Sequence, residues 1–260
     1  MTFPDMFSLR NKAALVTGGA GLYGRQIVEA LAEAGAETYI SSRNLNALKQ
    51  VAAKHQKLGR SVTAIRVDQG DENSVLALRD EIKKQSGRLD VLVNNAVARP
   101  MKGYQDDISV FAESMRINAT GLFLITRVMG DFMAETPGGS IINVGSIMGM
   151  IGPDATNYEG TSMHGWYPDY FFHKGGMINF TRFTASYYGD KGIRCNCISP
   201  GGLYQPTMPD AFVKNYSSRT FLGRLANDTD LKGIVVFLAS DASLYVTGTN
   251  IPVDGGYTAK

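Results

Sequence analysis

The sequence predicts an α/β fold: a doubly wound parallel sheet with helices on both faces, in a single domain over 1–260. Three observations carry this. Short, continuously apolar runs alternate with stretches of helical length, the pattern of strands covered on both sides. The first apolar run passes straight into the glycine turn Gly18-Gly19-Ala20-Gly21-Leu22-Tyr23-Gly24. And 260 residues suffice to bury one full core, so no second domain is needed.

Taken in order, Ala13 to Thr17 reads as a strand, and the glycine turn opens a helix ending near Gly35. Glu37 to Ser41 is a second strand; Asn44, a good N-cap, starts a helix reaching about Leu58. Val62 to Val67 is a strand, Asp71 to Ser86 an amphipathic helix, and Leu89 to Val93 a strand running into Asn94-Asn95. A long helical region covers about Ser109 to Glu135 and is broken by Pro137-Gly138-Gly139. The strand Ser140 to Val144 follows, then a long irregular segment and a helix holding Tyr170-Phe171-Phe172-His173-Lys174. The chain closes with the strand Ile193 to Ile198, a Pro/Gly-rich loop, a helix from about Thr229 to Ala239, and the strand Asn250 to Val253. Right-handed crossovers between such strands bring any ligand to their carboxyl ends.

Composition removes several classes. A net charge of +2 offers no basic stripe for nucleic acid. The start MTFPDMFSLRNKAALVTGG lacks a secretory pattern, and no run approaches eighteen uninterrupted apolar residues, so no membrane span is expected. Cys195 and Cys197 lie in an apolar run and read as buried strand thiols; no Cys/His cluster completes a metal-ligand set. The expectation is a soluble, cytoplasmic protein that holds no metal.

The chemistry centres on Tyr170 and Lys174. On a helix they stand four apart, one turn along the same face. A nearby cation favours the phenolate of a tyrosine that otherwise ionises near pH ~10. A phenol tuned in this way can take a proton from an alcohol or give one to a carbonyl oxygen. The spacing alone is weak, since Tyr187 and Lys191 repeat it; Gly189 and Gly192 around Lys191 mark a helix end with a solvated lysine. Gly18, Gly21 and Gly24 add a second signal. Between a strand and its helix they permit a tight turn and let the backbone approach a pyrophosphate.

With these motifs together, the chain resembles the short-chain dehydrogenase/reductase family from Lys12 to the C-terminus. The resemblance rests on Thr17-Gly18 with Gly24, Asp68, Asn94-Asn95-Ala96, Asn118, Ser146, Tyr170 with Lys174, Ser199-Pro200-Gly201, and Val253-Asp254-Gly255-Gly256. It implies a Rossmann-type sheet and hydride transfer between a nicotinamide and a carbonyl or alcohol carbon. It further implies Tyr170 as general acid/base, Ser146 polarising the substrate oxygen, and Lys174 holding the nicotinamide ribose and lowering the Tyr170 pKa. Asn118 would anchor a water in the proton relay. The implied cofactor contacts are Gly18, Gly21, Leu22, Tyr23 and Gly24, then Ser42 and Arg43, Asp68 and Gln69, Asn95 and Ala96, Lys174, and Pro200 with Gly201. A homotetramer or homodimer is implied as well, through the long helix, the Tyr170 helix and the C-terminal strand.

Three departures from the family pattern stand out. Gly21 is the middle glycine, with Leu22 where compact members usually carry glycine, and Val97 replaces the usual glycine after Asn-Asn-Ala. Ser146 and Tyr170 are also unusually far apart, through an excess segment over 151–169. A long loop inside a compact domain is usually functional. It is expected to cover the site as a substrate lid, with Tyr158, His164, Trp166 and Tyr167 contacting substrate; an oligomer contact is the alternative.

The second strand ends in Ser41-Ser42-Arg43 without an acidic residue. An acid there would bind the adenosine ribose of NAD, whereas an arginine suits a 2′-phosphate. NADP(H) is therefore the expected cofactor, with NAD(H) the other option. The substrate expected is a hydroxylated small molecule or its ketone: a sugar, a sugar acid or a relative. A 3-oxoacyl-thioester or broad carbonyl reductase is the second reading. A non-catalytic dinucleotide-binding regulator is the reading of another class.

Overall fold

The computed structural model describes residues 2–136 and 138–260; Pro137, expected to break the long helix, lies outside the described residues. Seven strands form one parallel sheet in the order β3-β2-β1-β4-β5-β6-β7. They are β1 Ala13–Thr17, β2 Glu37–Ser42, β3 Val62–Arg66, β4 Val91–Asn94, β5 Gly139–Val144, β6 Ile193–Pro200 and β7 Asn250–Val253. All five residues of β1 and all eight of β6 are buried, which is why these runs read as continuously apolar rather than alternating. Val16 of β1 sits in register between Ile40 of β2 and Val93 of β4.

The helices are α1 Leu22–Glu33, α2 Leu45–Gln56, α3 Glu72–Ser86, α4 Ile108–Met115, α5 Gly121–Met133, α6 Pro168–Tyr188, α7 Asp210–Arg219 and α8 Lys232–Ala239. One apolar layer joins α1, α2 and α8 to the sheet through Ile27, Leu31, Leu48, Val235 and Leu238. The opposite layer joins α3, α5 and α6 through Leu78, Ile82, Ile125, Met129 and Phe132. Each fully buried Leu or Ile in these layers contributes roughly 1.5–3 kcal/mol.

Local chemistry sets the helix ends. Asn44 accepts the Ala47 N–H at 3.0 Å to cap α2, and Asp71 accepts from Asn73 at 3.1 Å to cap α3. α3 stops at Gly87, whose φ of 72° puts it in the left-handed region. α6 opens with Pro168 in its first turn. Helical structure is continuous over 108–133, but Arg116–Thr120 is a π turn. That continuous helix is long and apolar enough to cross a membrane by composition. Here it is a core helix, burying Leu122, Ile125, Met129 and Phe132 against the sheet.

Three boundaries differ from expectation. β4 begins at Val91 because Asp90 uses its carboxylate to accept the Ala13 N–H at 2.8 Å and to pair with Arg88. α8 begins at Lys232 because Asn227 and Thr229 form a turn closed on Asp230. The segment expected as loop after β6 contains α7, which starts just after Pro209 and buries Phe212 and Tyr216.

Polar groups also cross the sheet. Asn94 Nδ2 donates to Thr126 Oγ1 and Asn143 Oδ1 at 3.0 and 2.9 Å, and Asn143 Nδ2 donates to Thr181 Oγ1 at 2.9 Å. This buried chain ties α5, β4, β5 and α6 together through the two amide nitrogens.

Candidate active site

The strand order reverses between β1 and β4, so the loops leaving their carboxyl ends diverge and open a crevice. The glycine turn after β1 is tight: the Gly21 N–H donates to the Gly18 carbonyl at 2.9 Å, and Gly18 has φ 66°. A Cβ on Gly24 would stand 2.2 Å from the Gly18 carbonyl oxygen, and one on Gly18 2.9 Å from Ala96 Cα. Neither position accepts a side chain without moving backbone. Asn95 Nδ2 braces the turn, donating to the Thr17 and Gly18 carbonyls at 3.0 Å each. Thr17 Oγ1 in turn accepts the N–H groups of Asn95 and Ala96.

α1 starts after Gly21 with no side chain capping it. Its first-turn N–H groups therefore remain free for an anion, and the close-drawn backbone fits a pyrophosphate. Leu22 is exposed at this helix start. Tyr23, expected among the cofactor contacts, gives its hydroxyl to the Gly201 carbonyl at 2.8 Å. It thereby clamps the glycine turn to the Pro200-Gly201 loop, and burial pushes its phenol up.

At the end of β2, Ser42 is half-buried and Arg43 exposed. Arg43 makes no ion pair among the described residues, which suits a group awaiting an anion. Asp68 Oδ1 accepts the Gly70 N–H at 3.0 Å. Gln69 turns inward, its Nε2 donating to the Ile117 carbonyl at 3.0 Å. Its amide is held by the π turn rather than offered to a ligand.

Ser146 follows β5, and Tyr170 and Lys174 lie on α6. The fold brings the three together. The Ser146 hydroxyl accepts the Met148 N–H at 3.1 Å and lies close enough to the Tyr170 hydroxyl to favour its ionised form. Lys174 is buried, its Nζ 5.8 Å from the Tyr170 ring centroid and donating to the Val144 carbonyl at 2.5 Å. Burial pushes the Tyr170 phenol up, but the Lys174 and Arg99 cations, helped by the nearby Ser146 hydroxyl, outweigh it and leave the phenol below its ordinary value. Burial likewise lowers the Lys174 ammonium. By contrast Lys191, the lysine of the second Tyr-x-x-x-Lys pair, is exposed beyond the end of α6.

Asn118 sits buried in the π turn. Its Oδ1 accepts the Ala98 N–H at 2.9 Å, and its Nδ2 donates to the Ala98 carbonyl at 2.8 Å and to Ser114 Oγ at 3.0 Å. Ser114 Oγ passes the chain on, donating to Asp169 Oδ2 at 2.6 Å. Asn118 thus locks the loop after β4 to the helix start just ahead of Tyr170.

Two neighbours of Tyr170 escaped the sequence reading. The Arg99 guanidinium lies 4.7 Å from the Tyr170 ring centroid, with Nη2 3.4 Å from the hydroxyl. The signal available for it was a charged residue three positions after Asn94-Asn95-Ala96. His173 packs edge-on against the same ring at 5.3 Å, with neither ring nitrogen partnered among the described residues. Burial, with Lys174 and Arg99 adding to it, pushes His173 down to about 3, so it is neutral at physiological pH.

The excess segment docks on α7. Asp154 pairs with Arg219, Asn215 Nδ2 donates to the Glu159 carbonyl at 3.0 Å, and Asn157 Nδ2 donates to the Tyr257 hydroxyl at 2.6 Å. Ala155–Tyr158 is a short 3-10 helix, and 168–169 already belongs to α6. Tyr158, expected to stack on substrate, instead packs its ring against Phe212 at 5.6 Å and against Gly165. It anchors the segment because an apolar ring is better buried there than left open. His164 and Tyr167 stack on one another at 4.9 Å, and Trp166 is exposed.

A dinucleotide cradle beside a phenol whose ionised form is favoured defines an oxidoreductase that moves a hydride and a proton together. The family model described as enoyl-(acyl carrier protein) reductase matches residues 21–258. Cis-4-hydroxycyclohexanecarboxylate dehydrogenase of Sinomonas cyclohexanicum is 34% identical, over 95% of this chain and 97% of that protein. A short-chain type dehydrogenase/reductase from Mycobacterium marinum superposes with TM-score 0.88 at 29% identity, over the whole of both chains. A gluconate 5-dehydrogenase from Burkholderia cenocepacia, solved with NADP and tartrate, superposes with TM-score 0.89 at 27% identity, again over the whole of both. The chain belongs to the short-chain dehydrogenase/reductase family, and is an NAD(P)-dependent oxidoreductase acting on CH–OH groups.

Proposed function

We propose that this enzyme interconverts a secondary alcohol and a ketone on a hydroxylated, carbohydrate-like or cyclic substrate, with NADP(H) as the preferred cofactor. The observation that carries the reading is the Tyr170 hydroxyl, close to Ser146 and flanked by the Lys174 and Arg99 cations. In the oxidative direction the Tyr170 phenolate takes the hydroxyl proton while Ser146 holds the substrate oxygen. The electron pair left on oxygen forms the C=O π bond as the carbinol C–H pair departs with its hydrogen as hydride, for which a bound nicotinamide would be the acceptor. In reduction the Tyr170 hydroxyl returns that proton to the new alkoxide. Lys174 favours the Tyr170 phenolate and would hold the nicotinamide ribose. Asn118 fixes the loop and helix that frame the reacting atoms, with a water as its partner in proton passage.

Arg43, exposed and without an acidic neighbour on β2, supports 2′-phosphate recognition. The gluconate 5-dehydrogenase likeness and the polar aromatic surface of His164, Tyr167 and Trp166 support a hydroxylated substrate. The segment over 151–167, tied to α7, acts as the lid. Phe123, Phe183 and Tyr187 form an exposed aromatic face on α5 and α6 and support self-association with a second copy. Light scattering of Phe183→Asp should then report a smaller particle than the parent.

The deciding experiment follows the reduced cofactor's absorbance over a panel of sugars, aldonates, cyclic alcohols and 3-hydroxyacyl thioesters. Tyr170→Phe should lose at least about a thousandfold in kcat, in line with removal of an acid/base group, while still binding NADPH. Turnover surviving that substitution sinks the assignment. A hit confined to thioesters overturns the substrate class and keeps the mechanism.

A further inference from the structure

We infer that Arg99 is the anchor for a carboxylate on the substrate, and that the enzyme prefers 2- or 3-hydroxy acids, and their oxo counterparts, to uncharged analogues. This deepens the alcohol–ketone reading above and rests on it.

The first observation is charge. The groups acting on the Tyr170 hydroxyl from its surroundings are the Lys174 ammonium and the Arg99 guanidinium, both cationic. His173, the third titratable neighbour, is held neutral by its burial. Asp169, the acid next to Tyr170 in sequence, is buried and accepts from Ser114 on the α4 side. No carboxylate pairs with Arg99 among the described residues. The reacting centre therefore lies in an uncompensated positive field, and such a cleft concentrates anions.

The second observation is preorganisation. Arg99 is exposed, but it springs from a backbone whose preceding residue is clamped on both sides: Asn118 holds the N–H and the carbonyl of Ala98. Ser114 and Asp169 extend that clamp to the start of α6, so the arginine and the tyrosine share one rigid frame. The guanidinium lies over the Tyr170 ring, and Nη2 makes a long 3.4 Å contact to the hydroxyl. Its remaining donors keep the planar fork that carboxylates accept bidentately.

The third observation is separation. The substrate oxygen must meet the Tyr170 hydroxyl, and a carboxylate on Arg99 must meet donors a few ångström from that same atom. Only an acid whose carboxylate is one or two carbons from the carbinol fits both contacts at once. A carboxylate far along a chain would overshoot the fork.

The test uses near-isosteric pairs: acetoacetate with acetoacetamide, and pyruvate with pyruvamide. Rates are measured with NADPH for the parent, Arg99→Ala and Arg99→Lys. The parent should favour each acid over its amide in kcat/KM. In Arg99→Ala that preference should fall by about 10- to 100-fold, the usual worth of hydrogen bonds to a charged group, and Arg99→Lys should restore part of it. The ratio is the decisive quantity, because removing Arg99 also lets the Tyr170 phenol rise and slows both members of a pair alike. An unchanged ratio overturns the inference and leaves Arg99 as a positioning group for Tyr170.

A second readout is independent of turnover. Calorimetric titration of acetoacetate into Tyr170→Phe loaded with NADP⁺ should give binding that acetoacetamide lacks and that Arg99→Ala abolishes. Equal binding of the amide, or no acid binding at all, overturns the carboxylate anchor. Failure of the alcohol–ketone reading would look different: acid binding intact, with no carbonyl reduced anywhere in the panel.

Discussion

Replacing Ser114 by alanine isolates the element that joins the β4 loop to the catalytic helix. Ser114 is fully buried, and its hydroxyl both donates to Asp169 Oδ2 at 2.6 Å and accepts from Asn118 Nδ2 at 3.0 Å. The first of these is a hydrogen bond to a carboxylate, a type worth about 1.5–3 kcal/mol net. Losing the second is milder, because Asn118 Nδ2 keeps the Ala98 carbonyl at 2.8 Å. The expected destabilisation is about 2–3 kcal/mol, dominated by a buried carboxylate deprived of a donor. In a chain of this size each kcal/mol moves the melting temperature about 2–4 °C, so Tm should fall by about 4–12 °C in scanning calorimetry. Ser109→Ala, an exposed serine on the same helix, is the control and should stay within about 0.5 kcal/mol. Steady-state assays should also show kcat falling in Ser114→Ala, since the loop holding Arg99 and the helix holding Tyr170 lose their common strut. A Ser114→Ala protein that melts with the parent, or melts low but turns over normally, would refute the idea that this chain of hydrogen bonds frames the site.

Three further outcomes are expected. Arg43→Ala should lower the ratio of kcat/KM for NADP⁺ over NAD⁺ by about 10- to 100-fold, as loss of a charge-assisted contact predicts; an unchanged ratio removes Arg43 from cofactor choice. Alcohol oxidation should rise with pH along a limb set by Tyr170, because the phenolate is the acceptor and its pKa is lowered. In Lys174→Met that limb should move to higher pH, and a limb that stays put assigns it to another group. His173 is depressed to about 3 from 6.5, so on acidification the unfolded chain takes up a proton that the folded one refuses. Its contribution is whole above pH 6.5 and is lost as pH falls toward about 3. The Tm of the parent should therefore drop faster over that window than that of His173→Phe, and parallel curves would contradict the buried neutral state.

Much of this was legible because the strands are buried on both faces. β1, buried throughout, falls on the residues that its apolar run marks, and Asn44 and Asp71 cap the helices they precede. Tyr170 and Lys174 were legible because helix periodicity puts them on one face, whereas Ser146, on the turn after β5, came only through the family resemblance. α7 was lost for the opposite reason: its buried residues Phe212 and Tyr216 are few, and the glycines and prolines before it dominate the reading. Tyr23, Gln69 and Tyr158 show another limit. Each was expected to face a ligand, yet each has its polar end or ring engaged by Gly201, Ile117 or Phe212, partners distant in sequence. Arg99 and His173 lie within a few positions of recognised motifs, but only folding gives them a common neighbour in Tyr170.

The two cysteines, at 195 and 197, are both buried in β6 as free thiols, and burial pushes both away from the reactive thiolate. Alkylating reagents and mild oxidants therefore meet a protein without a ready nucleophilic sulfur. That silence makes the native chain a clean background for site-specific labelling. A single cysteine introduced at the exposed Ser162 would take a fluorophore by itself, and a change in its emission on adding cofactor and substrate would test whether the segment it rides on closes as the proposed lid.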